Sequence, residues 1–126
     1  MRFGYVHFAF LGQESLWAAA ASECAGEQDA FWEYHDYLFE NWNGENQGTF
    51  SNENLKRFAE EMGLETESFN ECVDSGRMEP VVEQDNAFAR QLGVRSTPTF
   101  ALNGKAIQGA LPFEQFQSII EQELAK

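Results

Sequence analysis

The chain has 126 residues, 43% of them hydrophobic and 14% aromatic, the size and apolar content of one globular domain with a real core. Eight basic residues against twenty-one acidic ones give a formal charge of −13, which repels a phosphate backbone or an anionic membrane surface and argues against nucleic acid as a partner. No stretch approaches the roughly 20 apolar residues of a membrane span. The opening Met1-Arg2-Phe3-Gly4-Tyr5 lacks the long apolar run of a signal peptide, and the compartment is left open.

Arg2 to Phe10 reads as a strand in which Phe3, Tyr5 and His7 share one face and Val6, Phe8 and Phe10 the other. Both faces are expected to be buried, as in an inner strand covered by helices on both sides. Gly12 closes it, and a helix is expected from about Glu14 to Cys24, where the alanines from Ala18 to Ala21 are strong helix formers. Gly26 ends that helix. Asp29 is placed to cap the next, in which Phe31, Tyr34 or His35, Leu38 and Trp42 recur at helical spacing.

Asn43 to Gly48 is a polar surface loop, after which Phe50, Ser51 and Leu55 form a hydrophobic staple around an N-cap serine. That helix runs to Met62 and stops at Gly63. Thr66 is expected to cap a short helix through Cys72, stopped by Gly76. Pro80 opens another, with Val81, Asp85, Phe88 and Leu92 on its inner face and Gly93 at its end. The period then changes. Thr99 to Leu102 is a short strand, Asn103-Gly104 a two-residue hairpin turn and Lys105 to Ile107 the return strand. Pro112 starts a last helix with Phe113, Phe116, Ile120 and Leu124 facing inward.

The residues with chemistry are few. Cys24 and Cys72 lie far apart, outside any Cys-x-x-Cys, and neither they nor His7 and His35 have metal-ligand spacing, so no metal and no cofactor is expected. His7 in an inner strand and His35 on an aromatic helix face read as core or rim histidines. The acidic runs at Glu60-Glu61, Glu65 to Glu71 and Glu121 to Glu123 read as solvated helix faces rather than a docking surface. Trp17, Trp32 and Trp42 read as core before they read as a ligand groove.

The segment Gly93-Val94-Arg95-Ser96-Thr97-Pro98-Thr99-Phe100, followed by the Leu-Asn-Gly-Lys hairpin, Gly109 and an amphipathic helix, resembles the last third of DsbA-like thioredoxin-fold proteins. Upstream, His7-Phe8-Ala9-Phe10, Glu14 to Ala19, Glu23-Cys24-Ala25, Phe31 to Asp36 and Leu38-Phe39 are similar to that family's second core strand and helical insertion. The resemblance spans essentially the whole chain. It implies a cis Thr97-Pro98 peptide in a loop whose backbone pairs with an extended substrate, making Ser96, Thr97 and Pro98 the expected peptide-binding residues. A trans proline at a strand start is the plain alternative. Cys24 and Cys72 stand where some members carry a structural disulfide, so that pairing is implied, with two buried free thiols as the alternative.

One departure outweighs these matches. A DsbA-like chain starts with a strand leading into Cys-x-x-Cys at a helix N-terminus, whereas the strand that should come second already stands at Arg2 to Phe10. Thiol-disulfide exchange needs an activated thiolate and a neighbouring thiol to resolve the mixed disulfide, and no residue is expected to be catalytic. The expected fold is thus an incomplete DsbA-like α/β thioredoxin fold in one domain: strand 1–12, helical insertion 13–93, then loop, hairpin and helix 94–126. The seam left in mid-sheet is expected either to close edge on edge or to be filled by another chain, by a second copy in a homodimer or other oligomer first and by a separately supplied βα segment next. A non-catalytic peptide-binding module is the leading function. An oxidoreductase fragment or subunit whose active-site segment lies elsewhere is the first alternative, and a glutathione-binding transferase or isomerase relative the second. The family resemblance suggests a periplasmic or other extracytoplasmic location.

Overall fold

The computed structural model describes residues 1–126 as two compact units, Met1–Ala89 and Arg90–Lys126. Helices α1 (Gln13–Gly26), α2 (Phe31–Glu40), α3 (Asn52–Glu61) and α4 (Thr66–Ser75) build the first unit, and α5 (Glu79–Gln91) runs across the boundary. The second unit holds β1 (Thr99–Leu102), β2 (Lys105–Gln108) and α6 (Phe113–Leu124). No helix is long and apolar enough to cross a membrane.

In the first unit, Ala18, Ala21, Ser22 and Ala25 recur at helical spacing on α1 and are all buried. Their small side chains let α2, α3 and α4 come close, and Tyr34, Leu38, Leu55, Phe58 and Phe69 fill the space between. Tyr34 is fully buried and its hydroxyl donates to the Leu55 carbonyl oxygen at 2.8 Å. Burial raises its pKa well above the usual tyrosine value of 10.0.

Caps set the helix limits. The Ser51 hydroxyl accepts from the Asn54 N–H at the start of α3, as the staple reading expects. Gly76 ends α4 in the left-handed conformation. Two other caps differ from expectation. Asp29 takes a left-handed conformation (φ 58°), so α2 starts from Ala30 with no side-chain cap. Glu65, not Thr66, caps α4. Its carboxylate accepts from the Ser68 and Glu67 N–H groups, and the Ser68 hydroxyl followed by these backbone bonds holds its pKa below the usual carboxylate value.

The expected strand at Arg2–Phe10 is not one. The segment makes no β ladder, and only His7 is buried, while Phe3, Tyr5, Val6 and Phe10 are exposed. α5 supplies hydrogen bonds where a neighbouring strand would stand. Asp85 Oδ2 accepts from the His7 N–H at 3.0 Å, and Asn86 Oδ1 accepts from the Ala9 N–H at 2.8 Å. Asn86 Nδ2 donates back to the Ala9 carbonyl oxygen at 3.4 Å.

This engagement sets the rotation of α5. Val82, Asn86 and Ala89 are the buried positions, and Val81, Phe88 and Leu92 are exposed, one residue away from the expected face. Trp42, Phe113 and Leu124, expected inside, are also exposed.

The second unit is a hairpin and a helix. Asn103 and Gly104 both have positive φ (49° and 83°), the geometry of a two-residue turn whose twist matches that of the strands. The antiparallel register pairs Thr99 with Gln108, Phe100 with Ile107 and Leu102 with Lys105, and Phe100 meets Phe116 of α6 at 4.8 Å between ring centres. Glu123 ties the helix to the turn. It accepts from Lys105 Nζ at 2.8 Å, Lys126 Nζ at 2.6 Å and Asn103 Nδ2 at 3.2 Å.

Candidate functional site

The Thr97-Pro98 peptide is cis. Around it the chain is held by two hydrogen bonds: the Thr99 hydroxyl donates to the Ser96 carbonyl oxygen at 2.7 Å, and the Gly109 N–H donates to the Pro98 carbonyl oxygen at 2.9 Å. Gly109 sits at φ 86°, a conformation that turns the chain back after β2 and aims its N–H at the loop. Ser96, Thr97 and Pro98 are all exposed. Thr97 lies between the two pinned carbonyls, and its own N–H and C=O have no partner in the chain. An exposed, unpaired donor and acceptor two residues ahead of a strand is the chemistry an extended peptide can engage.

The two cysteines come together in the other unit. Cys24 of α1 and Cys72 of α4 form a disulfide with 5.8 Å between Cα atoms, each 1% exposed within the helical core. Both sulfurs are used in that bond. With Glu27 nearby the trio has the proximity of a metal site, but a disulfide offers no thiolate to a metal.

His7 is the other buried polar group of note. Its Nε2 lies 2.8 Å from Glu23 Oε1, and the Tyr5 ring packs edge-on against it. Tyr5 also contacts Phe31, Trp32 and His35, so the aromatics of the N-terminal segment and α2 form one cluster. Although the Tyr5 side chain is exposed overall, packing in this cluster takes water from its hydroxyl and raises its pKa. His7 is therefore a satisfied structural group holding the segment to α1 and α2. Asp85 stands on the face of α5 that the sequence reading turned inward, whereas the contacts of Glu23 with His7 and of Asn86 with Ala9 carry no signal in the sequence, because polar residues on a helix read as solvated.

Residues 1–122 match the family model described as "Thioredoxin". The chain belongs to the thioredoxin family. Its relatives place it on the DsbA-like side: it is 28% identical to disulfide bond formation protein D of Bacillus subtilis, over 98% of this chain and 57% of that protein. The oxidised crystal structure of BdbD from Bacillus subtilis superposes with a TM-score of 0.85 at 28% identity, covering 96% of this chain and 67% of the other. A thioredoxin-like oxidoreductase from Silicibacter pomeroyi DSS-3 gives a TM-score of 0.78 at 24% identity, over 97% of this chain and 68% of that one.

A different arrangement occurs in the Na(+)/H(+) antiporter NhaA of Herminiimonas arsenicoxydans, 34% identical over 82% of this chain but only 16% of that protein. The chain thus spans little more than half the length of the disulfide bond formation protein and a small part of the antiporter. The chain has a DsbA-like thioredoxin fold, with helices and a small two-stranded sheet of its own, and the solved structures it superposes on are thioredoxin-like.

Proposed function

We propose that this chain is a peptide-binding thioredoxin-fold module that holds an extended peptide at Ser96, Thr97 and Pro98 and carries out no thiol-disulfide exchange with its own cysteines. The observation that carries this reading is the exposed, unpaired Thr97 backbone at the cis peptide. The buried Cys24–Cys72 bond supports the second half, because exchange requires an accessible, activated sulfur. That bond also fits an oxidising, extracytoplasmic compartment.

Two measurements on the full chain test it. Insulin reduction by dithiothreitol should show no acceleration, and clear turnover would overturn the non-catalytic half. Extended peptides should shift the Thr97 and Thr99 amide resonances, while glutathione shifting the same resonances would favour the transferase-like reading instead. A second reading has its own support in the partial coverage of disulfide bond formation protein D. Joined to a segment with a Cys-x-x-Cys, the loop would present peptide to that pair, and adding such a segment should restore insulin reduction.

We also propose that a second copy of the chain covers the N-terminal segment. Phe3, Tyr5, Val6 and Phe10 are exposed along it, and residues 1–13 themselves contain no acid in a chain carrying twenty-one, so the pairing segments bring no carboxylates of their own. The remaining negative charge opposes association, so added salt should promote the dimer. Light scattering that finds a monomer at both low and high salt would remove this reading.

A further inference from the structure

Charge is divided unevenly along the chain. Arg90, Arg95, Lys105 and Lys126, four of the eight basic residues, fall in Arg90–Lys126, together with only three of the twenty-one acids, all in α6. From Asn86 to Phe113 there is no acid at all. Three of these four cations are accounted for. Lys105 and Lys126 bind Glu123, and Arg90 lies in the last turn of α5, where a cation complements the helix dipole. Arg95 is not. It is exposed, has no carboxylate within salt-bridge distance, and immediately precedes Ser96 and the unpaired Thr97 backbone.

We propose that Arg95 makes the Ser96–Pro98 loop select extended peptides bearing an acidic side chain, an inference that rests on the peptide-binding reading above. A guanidinium at the edge of a strand-like docking site offers a paired hydrogen-bonding fork to a carboxylate. Rim charges of this kind set partner choice more than raw affinity.

The test uses the intact chain and three peptides with one apolar core sequence, ending in Asp, Asn or Lys, titrated at physiological ionic strength against the Thr97, Thr99 and Gly109 amide resonances. The Asp peptide should bind about three- to tenfold more tightly than the Lys peptide, as expected for one exposed ion pair, and the gap should narrow as salt is added. Arg95→Gln should erase the preference, and Arg90→Gln should keep it. Equal binding of all three peptides, or a preference that survives Arg95→Gln, overturns the role of Arg95 and leaves peptide binding standing. No shift with any peptide removes the peptide-binding reading itself, and this inference with it.

Discussion

Replacing Asn86 by leucine should free the N-terminal segment and leave the helical core intact. Asn86 is 2% exposed and makes two hydrogen bonds to the same residue, from the Ala9 N–H and to the Ala9 carbonyl oxygen. Leucine keeps the bulk and removes both bonds. Each lost bond costs about 1 kcal/mol, and the unpaired Ala9 peptide, half-buried under the segment, adds about 1 kcal/mol until it reaches water. The sum of about 2–3 kcal/mol raises the opening equilibrium of the segment roughly 30- to 150-fold. It falls locally because none of the N-terminal residues takes part in a backbone ladder that would spread the loss. Amide hydrogen exchange reads this directly: Ala9 should lose protection by that factor while amides of α1 to α4 keep theirs. Asp85→Ala should do the same at His7 alone. Unchanged protection at Ala9 in Asn86→Leu would refute the idea that α5 side chains stand in for a strand.

The Cys24–Cys72 bond closes a loop of 48 positions, which in the chain-entropy account is worth about 4 kcal/mol. Urea unfolding with and without dithiothreitol should differ by about that much, and titration of the denatured, unreduced chain should find essentially no free thiol. Lys105, then Lys126 and Asn103, lower the Glu123 pKa from 4.5 to about 2. A lowered acid pKa adds stability above the unfolded value and loses it as pH falls from about 4.5 towards 2, so a Glu123 carboxyl titrating near 4.5 by NMR would sink that network. The Tyr34 pKa is shifted the other way, so its contribution is full below pH 10 and falls as pH rises beyond it. Tyr34→Phe should cost about 1 kcal/mol at neutral pH by loss of the bond to Leu55, and should flatten the alkaline part of the stability profile.

Much of the local structure is written in contiguous residues. The alanine run of α1, the Ser51 cap, Gly76 and the Asn103-Gly104 turn each act over four residues or fewer, and each sits where the sequence places it. The Ser96-Thr97-Pro98 loop is equally local, but its cis peptide follows only from resemblance, because most prolines of either isomer look alike in sequence. What fails is pairing at long range. Arg2–Phe10 has the alternation of a strand because an extended chain alternates whatever satisfies its backbone, and period alone does not say what that partner is. Here the partners are two consecutive polar side chains 77 and 78 positions away, on a helix whose pattern reads equally well one residue earlier. Once Asn86 must face Ala9, Val82 and Ala89 turn inward with it and Phe88 turns out, so one hydrogen-bonded residue decides which apolar side chains of α5 are buried. The misread helix face and the misread strand are therefore a single error with one physical cause. Its consequence is the exposed apolar edge along Phe3, Tyr5, Val6 and Phe10, the surface on which the assembly of this chain is proposed to turn.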